Sequence, residues 1–223
     1  MAKYATETLK AKNVAILRDV KNDYSVGLAD YFKQTFEKAG GKIVEDTSYS
    51  AGDMDFKSQL TTIRGKKPDA IFVPGYYTEV GLIARQAREL GIKVPLMGGD
   101  GWDSPKLKEI GGAAVDGSYF SNHYSEEDQS PHVQKFISEF KAKFNTVPDG
   151  LAAMGYDAAN VLIDAMNKSD MTTASIRDAI AKTKDFQAVT GIITLNEKRD
   201  PVKSAVVIKV ADGKFKYQST VKP

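Results

Sequence analysis

Apolar positions in the first half of this chain follow two alternating rhythms. Short unbroken runs, Asn13-Val14-Ala15-Ile16-Leu17, Ala70-Ile71-Phe72-Val73 and Val94-Pro95-Leu96-Met97, suit strands covered on both faces. Between them apolar residues recur three and four positions apart, as on one face of a helix. The pattern predicts a helix over 2–10, a strand over 13–17, and a loop through 19–25. The next helix carries Leu28, Ala29, Phe32 and Phe36 and stops at Gly40-Gly41, before a second strand at Lys42-Ile43-Val44. Asp55 is the expected N-cap of a helix bearing Phe56, Leu60 and Ile63. The third strand is expected to end at Tyr76, and Thr78 to cap a helix with Val80, Ile83, Ala84, Ala87 and Leu90. The fourth strand runs to Asp100, Asp103-Ser104-Pro105 opens a helix, and Gly117-Ser118-Tyr119-Phe120 is the fifth strand. Five strands with intervening helices make a complete α/β layer, a doubly wound parallel sheet.

After Tyr124 the rhythm changes. A polar connector, 125–131, leads into successive helices. One carries Val133, Phe136, Ile137, Phe140 and Phe144, one runs over 150–167, and one starts near Thr173 with Ile176, Ala179 and Ile180. No strand is predicted between them, so they read as the outer layer of an α/β domain whose sheet this chain does not encode. From Thr190 the pattern is β again: Ile192–Leu195, Ala205–Val210, and a turn at Asp212-Gly213 into Phe215-Lys216-Tyr217.

Composition narrows the chemistry. Among 223 residues, 31 basic and 29 acidic side chains leave a net charge of +2, with the signs interspersed, so nothing favours nucleic acid. No apolar run approaches the ~18 residues of a membrane span. There is no cysteine, which removes disulfides, thiolate nucleophiles and sulfur-ligated metals. Met1-Ala2-Lys3-Tyr4 has no signal-peptide character, so the chain is expected to be cytoplasmic if made as such, or to lack its natural front end. His123 and His132 stand apart without clustered acids, and Asp53 and Asp55 lack the spacing of a calcium loop. No phosphate loop, dinucleotide fingerprint or nucleophile elbow occurs, so neither cofactor nor catalysis is expected.

Two strand tips carry the candidate chemistry. One is Pro74-Gly75-Tyr76-Tyr77; the other is Gly98-Gly99-Asp100-Gly101-Trp102-Asp103. Ligands of open parallel sheets bind beyond the carboxyl ends of the strands. Phenols, an indole and carboxylates beside glycines suit a small ligand with a cationic head and an apolar body. Asp100 reads either as the acceptor for an ammonium group or as a helix cap or solvated loop acid. Tyr76 is a pocket wall and cation–π partner, or an aromatic packed on its own loop. Tyr77 points elsewhere if the backbone is extended there. Trp102 either lines a cleft or seals an interface. Asp103 reads as a helix cap, and Tyr156-Asp157 as packing on a helix.

In order, Asp55-Phe56, Pro68-Asp69-Ala70, Gly75-Tyr76-Tyr77, Arg85-Gln86-Ala87, Gly98-Gly99-Asp100-Gly101-Trp102, Gly117-Ser118-Tyr119 and Gly155-Tyr156-Asp157-Ala158 resemble the branched-chain amino-acid-binding proteins of bacterial ABC importers. The resemblance covers essentially the whole chain. It implies a periplasmic binding protein type I lobe with flavodoxin-like strand order over 1–124. It also implies a helical remnant of the other lobe with its crossover strand over 125–199, and a β-hairpin returning to the first lobe over 200–223. It implies a fragment lacking the amino-terminal third, a periplasmic or extracellular parent, an amino-acid ligand and an importer permease as partner. It places Tyr24, Tyr76 and Asp100 at the ligand, with Trp102 and Tyr77 as further candidates. The expected function is solute binding with half a site and weak or no affinity. The alternative is an amide or amino-acid sensor regulating a partner protein. Apolar stripes in 131–184, including Phe136, Phe140 and Phe144, are expected to drive self-association as a dimer.

Overall fold

The structure, a computed structural model, describes residues 1–222. It divides into two compact units. The first holds Met1–Ser121 with Val207–Ser219, and the second holds Asn122–Val206 with the last few residues.

The first unit is built on a seven-stranded sheet. Its strands are β1 (Asn13–Asp19), β2 (Lys42–Tyr49), β3 (Ala70–Phe72), β4 (Leu96–Gly98), β5 (Tyr119–Asn122), β9 (Ala205–Ala211) and β10 (Lys214–Val221). Their order is β10-β9-β5-β4-β3-β1-β2, and β2-β1-β3-β4-β5 pair in parallel. That is the doubly wound order expected from the sequence, extended at one edge by a hairpin. The hairpin turns at Asp212-Gly213, both at positive φ, as a two-residue turn between twisted strands demands. Helices α1 (Ala2–Glu7), α2 (Asp23–Lys38), α3 (Lys57–Lys66), α4 (Tyr77–Glu89) and α5 (Pro105–Gly111) alternate with the strands. The sheet core is continuous: Val14, Ile16, Phe32, Phe36, Phe72 and Met97 form one buried cluster, with the rings of Phe32 and Phe72 stacked at 4.1 Å. Burial of this kind, at ~1.5–3 kcal/mol per large apolar side chain, is the main force holding the layer together.

Several element ends differ from the sequence reading, each for a local reason. β3 stops at Phe72 rather than Tyr76, because Gly75 N–H turns back to bond the Val73 carbonyl at 2.9 Å. α4 therefore starts at Tyr77 with Tyr76 as its N-cap residue, and Thr78 lies inside the first turn. Asp55 accepts a bond from Lys57 N–H at 3.0 Å, yet the N-cap position of α3 is Phe56. Ser104, not Asp103, caps α5 by accepting from Lys106 N–H. β5 begins at Tyr119, after Gly117 has taken a positive φ.

The second unit contains α6 (Pro131–Phe144), α7 (Gly150–Asn167) and α8 (Thr173–Ala181), the three helices expected. It also contains β6 (Phe186–Ala188), which the sequence reading missed, paired antiparallel with β7 (Gly191–Leu195), which pairs in turn with β8 (Pro201–Val202). Its core is small: Tyr124, Val133, Phe136, Ala153 and Val189, with Ile137 and Phe140 packed against them. The phenylalanine stripe on α6 is thus a correction. Phe136 is buried, against the rings of Tyr124, Phe140 and Tyr156, and Phe144 alone of the three is exposed. Further exposed apolar side chains lie on α7, where Leu151 and Ile163 are each 53% exposed and Leu162 is 43% exposed.

Candidate functional site

The tips of β3 and β4 are fixed from beneath. Val73 N–H donates to Met97 O at 2.7 Å, and Trp102 Nε1 donates to Val73 O at 3.1 Å. The Trp102 ring lies flat against Gly98, where any Cβ would collide with the indole, and it meets the Phe120 ring at 6.1 Å. Trp102 is fully buried in the first unit. Its large apolar surface and its single N–H are both satisfied within this unit.

Above this base the chain turns once in a 3₁₀ helix, Asp100–Trp102, closed by Asp103 N–H bonding Asp100 O at 2.9 Å. Asp100 opens that turn. Tyr24 approaches from α2. Asn22 caps α2, its Oδ1 accepting from Tyr24 N–H at 3.0 Å and Ser25 N–H at 3.3 Å. Tyr24 therefore sits in the first helical turn rather than in a preceding loop. Ser25 Oγ in turn accepts from Asp19 N–H at 3.0 Å, tying the helix start to the end of β1.

The Tyr24 hydroxyl is the junction of the site. It donates to Asp100 Oδ1 at 2.7 Å and accepts from Gly101 N–H at 3.0 Å. Its ring stacks on Tyr76, with centroids 5.3 Å apart and planes 29° from parallel. Such closeness requires the glycines. A Cβ at Gly99 would stand 2.7 Å from the Tyr24 oxygen, and one at Gly101 would stand 2.8 Å from Gly75 O. Burial, then the charge of the Asp100 carboxylate, pushes the Tyr24 phenol far above its ordinary range, so it stays a proton donor. Tyr76 is 43% exposed.

The structure thus brings Tyr24, Tyr76 and Asp100 together and withdraws Trp102 below them. Tyr77, the first residue of α4, is half-buried and joins none of these contacts. Asp103 is buried and is not the helix cap. Tyr156 and Asp157 belong to the second unit, where the buried Asp157 carboxylate accepts from Val189 and Thr190 N–H, each at 2.8 Å. Two contributors went unread in the sequence. Asn22, two residues before Tyr24, carries a capping signal that was available. The Tyr49 phenol, packed against Gly75 and pushed up by burial and by the charges of Glu79, Asp19 and Asp53, carries none.

The profile of the family described as periplasmic binding protein matches residues 1–214. The chain belongs to that family. Among curated periplasmic binding proteins, it is similar to the Leu/Ile/Val-binding protein homolog 3 of Brucella melitensis, 30% identical over 218 residues, 96% of this chain and 58% of that one. It is also similar to the leucine-, isoleucine-, valine-, threonine- and alanine-binding protein of Pseudomonas aeruginosa, 30% identical over 200 residues, 89% of this chain and 52% of that one. The chain spans little more than half the length of these relatives. Among solved structures, the leucine-binding protein LivK of Thermotoga maritima matches with a TM-score of 0.94 and 40% identity, covering 100% of this chain and 64% of that one. The substrate-binding protein LivJ of Streptococcus pneumoniae, in complex with isoleucine, matches with a TM-score of 0.88 and 36% identity, over 100% and 63%. These names describe solute binding, not catalysis. No described helix is long and apolar enough to cross a membrane.

Proposed function

We propose that this chain carries one side of a binding site for an aliphatic amino acid, in a solute-binding component of an ABC importer. The observation that carries the reading is the triad at the strand tips. Asp100 offers a carboxylate held by Tyr24, and Tyr76 offers an aromatic face beside it. A carboxylate and a stacked pair of phenols attract a primary ammonium, by a charge-assisted hydrogen bond and by cation–π contact. The names of the relatives, which specify leucine, isoleucine and valine, supply the apolar body of the ligand.

One side of a site binds weakly. Small-ligand pockets bury about 70–90% of their ligand, and a single wall buries about half. Losing half of an aliphatic side chain's ~1.5–3 kcal/mol and one carboxylate clamp of ~1.5–3 kcal/mol removes roughly 2–4.5 kcal/mol. That corresponds to roughly 30- to 2,000-fold in affinity. Calorimetry of the purified 223-residue chain with L-leucine is expected to show binding much weaker than micromolar. A micromolar or tighter value overturns the half-site reading.

We also infer self-association through α7. Leu151, Leu162 and Ile163 form exposed apolar surface on that helix, and such surface is removed from water by pairing two copies. Light scattering is expected to show a dimer that Leu162→Lys returns to monomer. A strictly monomeric chain contradicts it.

A further inference from the structure

We infer that Tyr24 is a positioning residue for Asp100: its hydroxyl aims the carboxylate so that an incoming ammonium meets a preset acceptor. The inference rests on the half-site reading above and adds to it the device that makes the carboxylate directional.

A short aspartate side chain on a single 3₁₀ turn has rotamer freedom of its own, and fixing that freedom on binding costs affinity. Three features of the structure remove it beforehand. The Tyr24 hydroxyl donates to Oδ1 at 2.7 Å. The same oxygen accepts Gly101 N–H at 3.0 Å, so the backbone next to Asp100 and the carboxylate itself are held from one point. Tyr24 is in turn held from two sides, because Asn22 caps its helix and Tyr76 stacks on its ring at 5.3 Å. Gly99 and Gly101 leave the space this arrangement occupies, since a Cβ at either would crowd the Tyr24 hydroxyl, at 2.7 Å and 3.3 Å. A tyrosine serving only as a wall needs its ring; this one spends both hydrogen-bonding directions of its hydroxyl on the Asp100 turn.

The test uses the whole chain and 3-methylbutylamine, which presents an ammonium on an apolar body, with 3-methylbutanol as the uncharged comparison. Binding is read from amide shifts at Gly99, Gly101 and Tyr76. The expected result is saturable binding of the amine but not of the alcohol. Tyr24→Phe, which keeps the ring, is expected to weaken amine binding about fivefold, and to add little in an Asp100→Asn background. Equal affinity of wild type and Tyr24→Phe, or an undiminished loss in the Asp100→Asn background, overturns the positioning role and leaves the half-site reading standing. Failure of the wild type to prefer amine over alcohol overturns both. Side-chain couplings of Asp100 in the wild-type chain give a readout that does not depend on any variant folding. A single χ1 rotamer supports the proposal, and rotamer averaging overturns it.

Discussion

Three phenols of the first unit are held away from solvent, and each is displaced in the same direction. Burial, aided by the neighbouring Tyr119, pushes Tyr4 up to about 12. Burial with the Asp100 charge lifts Tyr24 further, and burial with the charges of Glu79, Asp19 and Asp53 does the same for Tyr49. Since each folded value lies above the unfolded one, the unfolded chain releases these protons first. The stability they contribute is fully present below pH ~10 and is lost as pH rises through the folded values. An alkaline titration followed by tyrosine absorbance is expected to show a delayed class of phenols that ionise together with loss of the folded circular-dichroism signal. Smooth ionisation of all tyrosines near pH ~10 in a chain that remains folded contradicts this. At the same scale, Trp102 shows where sequence reading stops. An indole among glycines reads equally well as lining a cleft or as sealing an interface, and the structure buries it within its own unit. What decides it is the approach of the ring to Gly98 and its bond to Val73 O, both long-range facts that no local pattern carries.

Among elements, the start of α2 has the largest consequence for the site. Asn22 satisfies two N–H groups of the first turn, one of them Tyr24's own. Asn22→Ala is expected to lower stability by ~0.5–2 kcal/mol in urea unfolding. It is also expected to broaden the amide signals of Gly99–Gly101, because Tyr24 carries the disturbance to the 3₁₀ turn. Unchanged signals there, with the stability loss present, would separate the helix start from the site. β1, β3 and β4 were legible as unbroken apolar runs between helical periods, and β2 and β5 from the short pairs Ile43-Val44 and Tyr119-Phe120 at the expected places in the alternation. Their ends were not: β3 and β4 finish early where Gly75 turns back and where Asp100 opens a 3₁₀ turn, and neither leaves a periodicity. β6 escaped notice because Phe186-Gln187-Ala188 is three residues long, and its pairing with β7 defines it.

At the scale of the whole molecule, the first unit carries a seven-stranded sheet and the second a helix, α7, that keeps apolar side chains in water. The proposed ligand-binding residues Tyr24, Tyr76 and Asp100 all belong to the first unit. The second unit offers a groove of about 510 Å³ lined by Phe136, Tyr156, Ile163 and Val189. The most direct measurement is therefore an amide-shift map of the 223-residue chain titrated with L-leucine to tens of millimolar. Saturable shifts gathered at Tyr24 and Ser25, Gly75–Tyr77 and Gly99–Trp102 are expected. Shifts confined to the groove of the second unit, or none anywhere in a folded chain, would contradict the half-site reading.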